Sequence, residues 1–167
     1  MNNLNCRIFV LALAVVCGAQ CLIAQAKPDK TNAEFQAFLA KLDAAQLELQ
    51  GGKAEAFKSI WSHEDDITLS GGFGGMIEKG WEAISKRLDW AGQQFSNGTN
   101  KIERIVSVSS GNFGYVVQLE HIRFNVPGQT TESTKDYRVT MIFRKEKGSW
   151  RIVHRQADSN MIKQPPK

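Results

Sequence analysis

The second half of the chain decides the fold: residues 101–158 read KIERIVSVSSGNFGYVVQLEHIRFNVPGQTTESTKDYRVTMIFRKEKGSWRIVHRQAD. This stretch contains four runs rich in β-branched and aromatic residues, at Ile102–Ser109, Phe113–Val126, Ser133–Lys145 and Trp150–Ala157. Short turn sequences separate the runs, namely Ser110-Gly111-Asn112, Pro127-Gly128-Gln129 and Glu146-Lys147-Gly148. Three successive hairpins of this kind predict an antiparallel meander of four strands.

Helical patterns precede the meander. Apolar residues recur at helical spacing from Phe35 to Leu49 and again from Trp81 to Phe95, and a shorter segment of this type surrounds Phe57. A short apolar run at Ile67–Ser70 predicts a further strand, and the glycine-rich Gly71–Gly75 after it predicts a loop. Three helices beside an antiparallel sheet predict a single domain of the α+β class.

The first 26 residues have the pattern of a secretory signal peptide. A start that carries Arg7 leads into the apolar stretch Ile8–Ala24, and Ala24-Gln25-Ala26 places small residues before a cleavage site. The apolar stretch is shorter than the roughly 20 residues that a bilayer-spanning helix needs. We therefore expect cleavage after Ala26, export to the periplasm or medium, and a mature domain of residues 27–167 without stable membrane insertion.

Cysteine usage and charge exclude several classes of protein. All three cysteines, Cys6, Cys17 and Cys21, lie in the predicted signal peptide, so the mature domain has no disulfide, thiolate nucleophile or Cys-ligated zinc. A net charge of +4 over 167 residues does not favour nucleic-acid binding. No H-x-H or H-E-x-x-H spacing occurs, so we predict neither a metal site nor a cofactor.

Three groups of motifs, in this order, resemble the SnoaL-like domains of the NTF2-like (ketosteroid-isomerase-like) superfamily. They are WSHEDDITL at 61–69, GGFGG at 71–75 followed by KGW at 79–81, and the final group RVT at 138–140, FRK at 143–145 and WRIVHR at 150–155. The resemblance covers about Asn32 to Asp158. It implies an NTF2-like cone, in which three helices close a curved antiparallel sheet over an apolar pocket. It also implies a homodimer that pairs through the outer face of the sheet.

Strand alternation selects candidate residues on the meander. The set most able to form a polar pocket contains Glu120, Arg138, His154 and Asp158, with Gln156 beside it. Within this set, Arg138 would be the anchor, and Glu120 is one possible partner for its charge. The alternative is a cross-strand ion pair on the outer face. Alternation does not say which face points inward. Dimerisation would be favoured if an apolar set of strand residues pointed outward, namely Val117, Leu119, Val139, Met141 and Phe143.

Two further groups of candidates lie outside the meander. His63 adjoins Glu64, Asp65 and Asp66, which could make it a general base, although acids after a helix are also common turn and capping residues. Four aromatic residues could line a ligand cavity or belong to the core: Trp61, Phe73, Trp81 and Trp90.

The resemblance does not extend to the machinery of ketosteroid isomerases. Aligned on this sequence, the position of their base falls at Ser70 or Gly71, the position of their acid falls near Thr140, and the first helix has no Tyr. Three functions therefore remain open. The favoured one is an exported protein that binds a small apolar or mixed-polarity molecule. The others are a cofactor-independent isomerase, lyase or cyclase that uses His63, Glu120, His154 or Asp158, and a dimeric interaction module.

Overall fold

The computed structural model describes residues 30–159, with side chains from residue 32 onward. Its helices are α1 (Lys30–Gln50), α2 (Glu55–Ser59) and α3 (Trp81–Gly92). The predicted signal peptide lies outside the described residues. Within them, no helix has the length and apolar character required to cross a membrane.

One curved sheet holds all six strands. They are β1 (Thr68–Ser70), β2 (Glu78–Lys79), β3 (Ser96–Ser110), β4 (Phe113–Asn125), β5 (Glu132–Glu146) and β6 (Ser149–Asp158), in the order β2-β1-β6-β5-β4-β3. Neighbouring strands are antiparallel except β1 and β6, which are parallel. The predicted meander and the α+β class are confirmed.

The strand β3 begins earlier than the sequence predicts, at Ser96 instead of Ile102. The helical pattern that runs to Phe95 in the sequence ends at Gly92 in the structure, and Asn97 and Gly98 already belong to β3. A Cβ atom on Gly98 would lie 2.3 Å from the carbonyl oxygen of Gln50, so the strand passes the end of α1 at a distance that only glycine allows. The end of α1 therefore lies directly against β3.

The core lies between α1 and the face of the sheet that the helices cover, which we term the inner face. The apolar stripe of α1 supplies Phe35, Phe38 and Leu42, and the strands supply buried residues that include Val139, Met141, Phe143 and Ile152. The ring of Phe35 packs on Phe143 and Trp150, with centroid distances of 5.4 and 5.0 Å. Burial of this stripe holds α1 on the sheet.

A register shift in β6 reverses the alternation of its side chains. Ile142 pairs with His154, whereas the next residue on β5, Phe143, pairs with Ile152, so β6 carries one extra residue at this point. Trp150 and Ile152 are therefore buried before the shift, and Arg155 and Ala157 after it. Uninterrupted alternation would place His154, Gln156 and Asp158 on the face of Trp150 and Ile152, but the shift places them on the opposite face.

The pairing of β4 with β5 also separates two of the expected partners. Glu120 stands opposite Tyr137 on the inner face, whereas Arg138 stands opposite Leu119 on the outer face. The predicted polar set is therefore divided between the two faces, and Glu120 does not pair with Arg138. The apolar set is divided in the same way, since Val139, Met141 and Phe143 are buried while Val117 and Leu119 face outward.

Candidate functional site

The most unusual group in the interior is a fully buried carboxylate, Glu120 on β4, whose exposed fraction is 0%. Arg155 on β6 donates two hydrogen bonds to it, from Nη1 to Oε1 at 2.9 Å and from Nη2 to Oε2 at 2.8 Å. Gln46 on α1 and Gln118 on β4 donate to Oε1 at 2.8 and 2.7 Å. One helix and two strands thus converge on a single carboxylate.

These contacts keep Glu120 ionised. Burial raises the pKa of the carboxyl group, but the charge of Arg155 and the hydrogen bonds from Arg155, Gln46 and Gln118 outweigh it, so the pKa lies below its ordinary value. The ion pair is neutral as a unit and its hydrogen bonds are well formed, which is the condition under which a protein interior tolerates two charges.

The carboxylate also fixes how the surrounding amides are oriented. A carboxylate can only accept hydrogen bonds, so Gln46 and Gln118 must turn their Nε2 atoms to Glu120 and their Oε1 atoms away from it. Neither Oε1 atom has a hydrogen-bond partner within the described residues, and the same holds for Oε1 of Gln50. All three side chains are buried, so these oxygens are acceptors in need of a donor.

Tyr137 adds a donor to the same region. Its hydroxyl is buried and has no partner in the described part of the chain. Burial raises the pKa of Tyr137 to about 12, so the phenol keeps its proton and can donate to an acceptor.

A cavity of about 60 Å³ adjoins the ion pair. It lies between α1, α3 and the inner face of the sheet. Its polar lining includes Gln46, Gln50, Glu120, Arg155 and Arg87. Its apolar lining includes Phe57, Leu69, Phe73, Leu88, Phe95 and Ile122. An apolar wall with a few converging polar groups is typical of small-molecule sites.

The glycine-rich loop 71–75 forms one wall of this cavity. Gly74 donates a backbone hydrogen bond to Gly71 at 2.9 Å, which makes the loop a tight turn. Arg87 of α3 donates to the carbonyl oxygen of Gly74 at 2.7 Å. The ring of Phe73 packs on Trp90 and Phe95, each with a centroid distance of 5.3 Å. The loop is therefore fastened at both its backbone and its side chain.

His63, the sharpest local candidate in the sequence, lies elsewhere. Its ring stacks on Trp81 at a centroid distance of 3.8 Å and an angle of 16°. It lines an open cleft of about 760 Å³ together with Glu64, Asp65 and Asp66. Arg144 in this cleft already bonds Asp66 and Glu146, so much of its charge is compensated internally. Trp61 borders the cleft but is itself a core residue, 1% exposed.

The remaining candidates lie on the outer face. Arg138 pairs with Asp158 at 2.6 Å, and both side chains are substantially exposed, at 56% and 41%. Nδ1 of His154 lies 2.7 Å from the hydroxyl of Thr68, and burial lowers the pKa of His154. Gln156 is exposed. The outer-face ion pair that the sequence left as an alternative is the arrangement observed for Arg138 and Asp158.

Of the predicted site residues, Glu120 and Phe73 line the cavity, and Trp90 supports Phe73. Arg155 was missed because the register shift in β6 brought it inward. Gln46 and Gln50 were also missed, although a signal existed: both are polar residues on the apolar stripe of α1, one and two turns after Leu42. Among residues 30–159, no group of three or more His, Cys, Asp or Glu side chains is placed to hold a metal ion.

Comparison with known families agrees with this geometry. Residues 33–161 match the family model of the SnoaL-like domain. The chain belongs to the SnoaL-like domain family. A search of curated proteins found no match.

Solved structures of similar fold come from several bacteria. An NTF2-like superfamily protein from Salmonella enterica has a TM-score of 0.68 and 17% identity, over 80% of this chain and 96% of that one. A proposed dehydratase of the NTF2-like family from Streptomyces avermitilis has a TM-score of 0.67 and 13% identity, over 81% and 100%. A ketosteroid isomerase-like protein from Erwinia carotovora has a TM-score of 0.65 and 14% identity, over 80% and 99%. At these identities, the similarity establishes the NTF2-like fold alone.

Proposed function

We propose that this SnoaL-like protein is exported and binds a small molecule of apolar or mixed polarity in the cavity beside Glu120. One observation carries the proposal: a mainly apolar cavity adjoins a buried ion pair and the buried amide oxygens of Gln46 and Gln50, which have no hydrogen-bond partner within the described residues. A ligand with a hydrogen-bond donor would satisfy oxygens that are otherwise costly to bury.

Binding in this cavity requires the loop 71–75 to move. The cavity of about 60 Å³ is smaller than the roughly 300–1,000 Å³ of ordinary ligand sites. The loop is the wall best suited to yield, because four glycines flank Phe73 and the neighbouring Met76 and Ile77 are exposed at 85% and 65%. Displacement of Phe73 would enlarge the cavity without breaking the sheet.

The chemistry of the cavity favours binding over proton transfer. Glu120 has a lowered pKa and its carboxylate receives four hydrogen bonds, so it is a poor general base. Among the described residues, the cavity lining includes no histidine. The isomerase and dehydratase functions that the fold also accommodates would require a proton acceptor that these side chains do not readily supply.

The binding proposal can be tested with a matched pair of variants on α3. Ala91 lines the cavity, whereas Ala83, on the same helix, does not. We expect native mass spectrometry of protein purified from its own compartment to show a bound small molecule, which Ala91→Leu loses and Ala83→Leu retains. Absence of any bound molecule, or equal retention by both variants, would contradict binding at this cavity.

Export rests on the sequence pattern of residues 1–26. We expect N-terminal sequencing of the exported protein to begin at Lys27. The three cysteines would be removed with the signal peptide, so the mature protein should not react with thiol reagents. Labelling of the mature protein by such a reagent would contradict cleavage at this site.

The outer face of the sheet supports a proposal of homodimerisation. A groove of about 380 Å³ on this face is lined largely by apolar side chains, among them Val108, Phe113, Tyr115 and Ile142. A second copy of the chain is the occupant we propose, because a two-fold axis would place this apolar surface against the same surface of its partner. Exposed apolar surface of this kind commonly marks an interface.

A further inference from the structure

The charges around the cavity are not balanced. Three charged side chains line it: Glu120, Arg155 and Arg87. Glu120 and Arg155 neutralise each other through two hydrogen bonds. Arg87 remains, and no carboxylate in the described part of the chain lies within ion-pair distance of it. The cavity wall therefore carries one uncompensated positive charge.

The contacts of Arg87 leave it able to bind an anion. Its Nη2 atom donates to the carbonyl oxygen of Gly74, and its guanidinium lies over the ring of Trp90, 4.3 Å from the centroid. Neither contact supplies a negative charge. A guanidinium has five N–H donors, so several remain for a second partner. Because Trp90, on the same helix and outside the loop that must move, holds the group in place, little side-chain entropy would be lost when it binds.

The amide oxygens inside the cavity indicate a second feature of the ligand, a hydrogen-bond donor. Gln46 and Gln50 present amide oxygens that lack a donor within the described residues, and Gln46 is held in this orientation by Glu120. A ligand hydroxyl is a neutral group that supplies such a donor. The rest of the cavity wall consists largely of apolar side chains such as Leu69, Leu88 and Ile122.

We propose that the ligand is a small organic acid with a hydroxyl group, whose carboxylate pairs with Arg87 and whose hydroxyl donates to Gln46 or Gln50. This inference rests on the proposed function and specifies its ligand class. The carboxylate neutralises Arg87, the apolar body covers the aliphatic and aromatic wall, and the hydroxyl satisfies the buried amide oxygens. Each part of the ligand corresponds to one chemical feature of the wall.

Isothermal titration calorimetry with paired probes tests the proposal. The probes are 4-hydroxybenzoate and 6-hydroxyhexanoate, each compared with its uncharged primary amide, so that shape is conserved while charge is removed. We expect the wild-type protein to bind at least one acid about tenfold or more tightly than its amide, because a hydrogen bond to a charged group is stronger than one between neutral groups. Benzoate and hexanoate, which lack the hydroxyl, should bind more weakly than the hydroxy acids.

Variants of α3 assign the preference to Arg87. Arg87→Gln should lose the preference for the acid and keep the affinity for the amide. Lys86→Gln removes the same charge from an exposed neighbour that pairs with Glu82, and should keep the preference. Should Arg87→Gln disturb the loop, Arg87→Lys retains the charge and is expected to retain a preference for the acid.

The outcomes separate this inference from the proposed function. Equal binding of acids and amides by the wild-type protein, an unchanged preference in Arg87→Gln, or no binding of any probe would overturn the organic-acid assignment. The proposed function would still stand if native mass spectrometry showed a bound molecule that Ala91→Leu loses. If that molecule is also missing, both proposals fail.

Discussion

At the scale of single residues, the two ion pairs of β6 provide a direct contrast. Glu120 and Arg155 are 0% and 11% exposed in their side chains, whereas Arg138 and Asp158 are 56% and 41% exposed. Removal of one partner from a buried pair leaves an uncompensated charge in the interior, which typically costs about 3–5 kcal/mol. Removal from an exposed pair costs under about 1 kcal/mol, because water screens the remaining charge.

We therefore expect Arg155→Met to lower the free energy of unfolding by about 3–5 kcal/mol and Arg138→Met by less than about 1 kcal/mol. Urea unfolding curves of the two variants measure the difference. The two variants are well matched, since each replaces an arginine by methionine and the two arginines lie on neighbouring strands. Equal losses would show that Glu120 finds another partner or reaches water when Arg155 is removed.

His154 gives a prediction about pH. Burial lowers the pKa of this imidazole from an ordinary value of 6.5, so the folded protein binds fewer protons there than the unfolded chain does as the pH falls below 6.5. The contribution of His154 to stability is then complete above pH 6.5 and is lost as the pH falls through the folded pKa. We expect an NMR titration of His154 to give a midpoint below 6.5.

The variant His154→Gln checks the same linkage through stability. It should show a smaller loss of unfolding free energy than the wild-type protein when the pH is lowered from about 8 to about 5.5, because one histidine titration is removed. A titration midpoint at or above the ordinary value would contradict the lowered pKa.

At the scale of elements, the loop 71–75 depends on a close approach to the sheet. A Cβ atom on Gly72 would lie 2.6 Å from the ring of Tyr137, closer than any stable contact. Gly71 offers a matched control, since its Cβ atom would meet only the flexible end of Arg87 at 3.5 Å. The two glycines are adjacent and their substitution by alanine adds the same single carbon.

We expect Gly72→Ala to lower the free energy of unfolding by about 1–3 kcal/mol, because it overpacks the contact with Tyr137. Gly71→Ala should be near neutral or stabilise by up to about 1 kcal/mol, because alanine restricts the unfolded chain. Thermal unfolding of both variants provides the measurement. Similar values for the two would show that the loop does not press on Tyr137.

Sequence reasoning predicted the elements well but could not assign every face. Alternation holds along β4, where Gln118, Glu120 and Ile122 are all buried and no bulge interrupts the pairing with β5. It failed on β6, because the register shift near Val153 depends on pairing with β5 and leaves no mark in the local sequence. Arg155 could not be recognised as the partner of Glu120, because its inward position depends on this tertiary pairing.

At the scale of the whole molecule, the sheet separates two surfaces of different chemical character. Its inner face and the helices enclose the Glu120–Arg155 pair and the cavity, whereas its outer face carries exposed side chains. The cleft that His63 lines is bordered by Arg144, Glu146 and Arg151, near the turn that joins β5 and β6. Ligand binding and self-association would thus use opposite sides of one sheet and need not compete.

The proposed homodimer predicts the effect of a charge at the centre of the outer groove. Strand pairing aligns Val108, Tyr115 and Ile142 in one row across β3, β4 and β5. These side chains are 47%, 43% and 37% exposed, so the row is apolar surface that a second copy could cover. We expect sedimentation velocity to show a dimer at micromolar concentration and a monomer for Tyr115→Lys, because burial of an unpaired ammonium at an interface is costly.

The control adds the same charge on the helical side of the molecule. Gln93, exposed at the end of α3, becomes lysine in Gln93→Lys, and this variant should remain dimeric. Circular dichroism should show the same fold for both variants, because residue 115 points away from the core, which is formed on the inner face. A monomeric wild-type protein, or a dimer that persists in Tyr115→Lys, would contradict pairing through this row and would leave another role for the exposed apolar side chains.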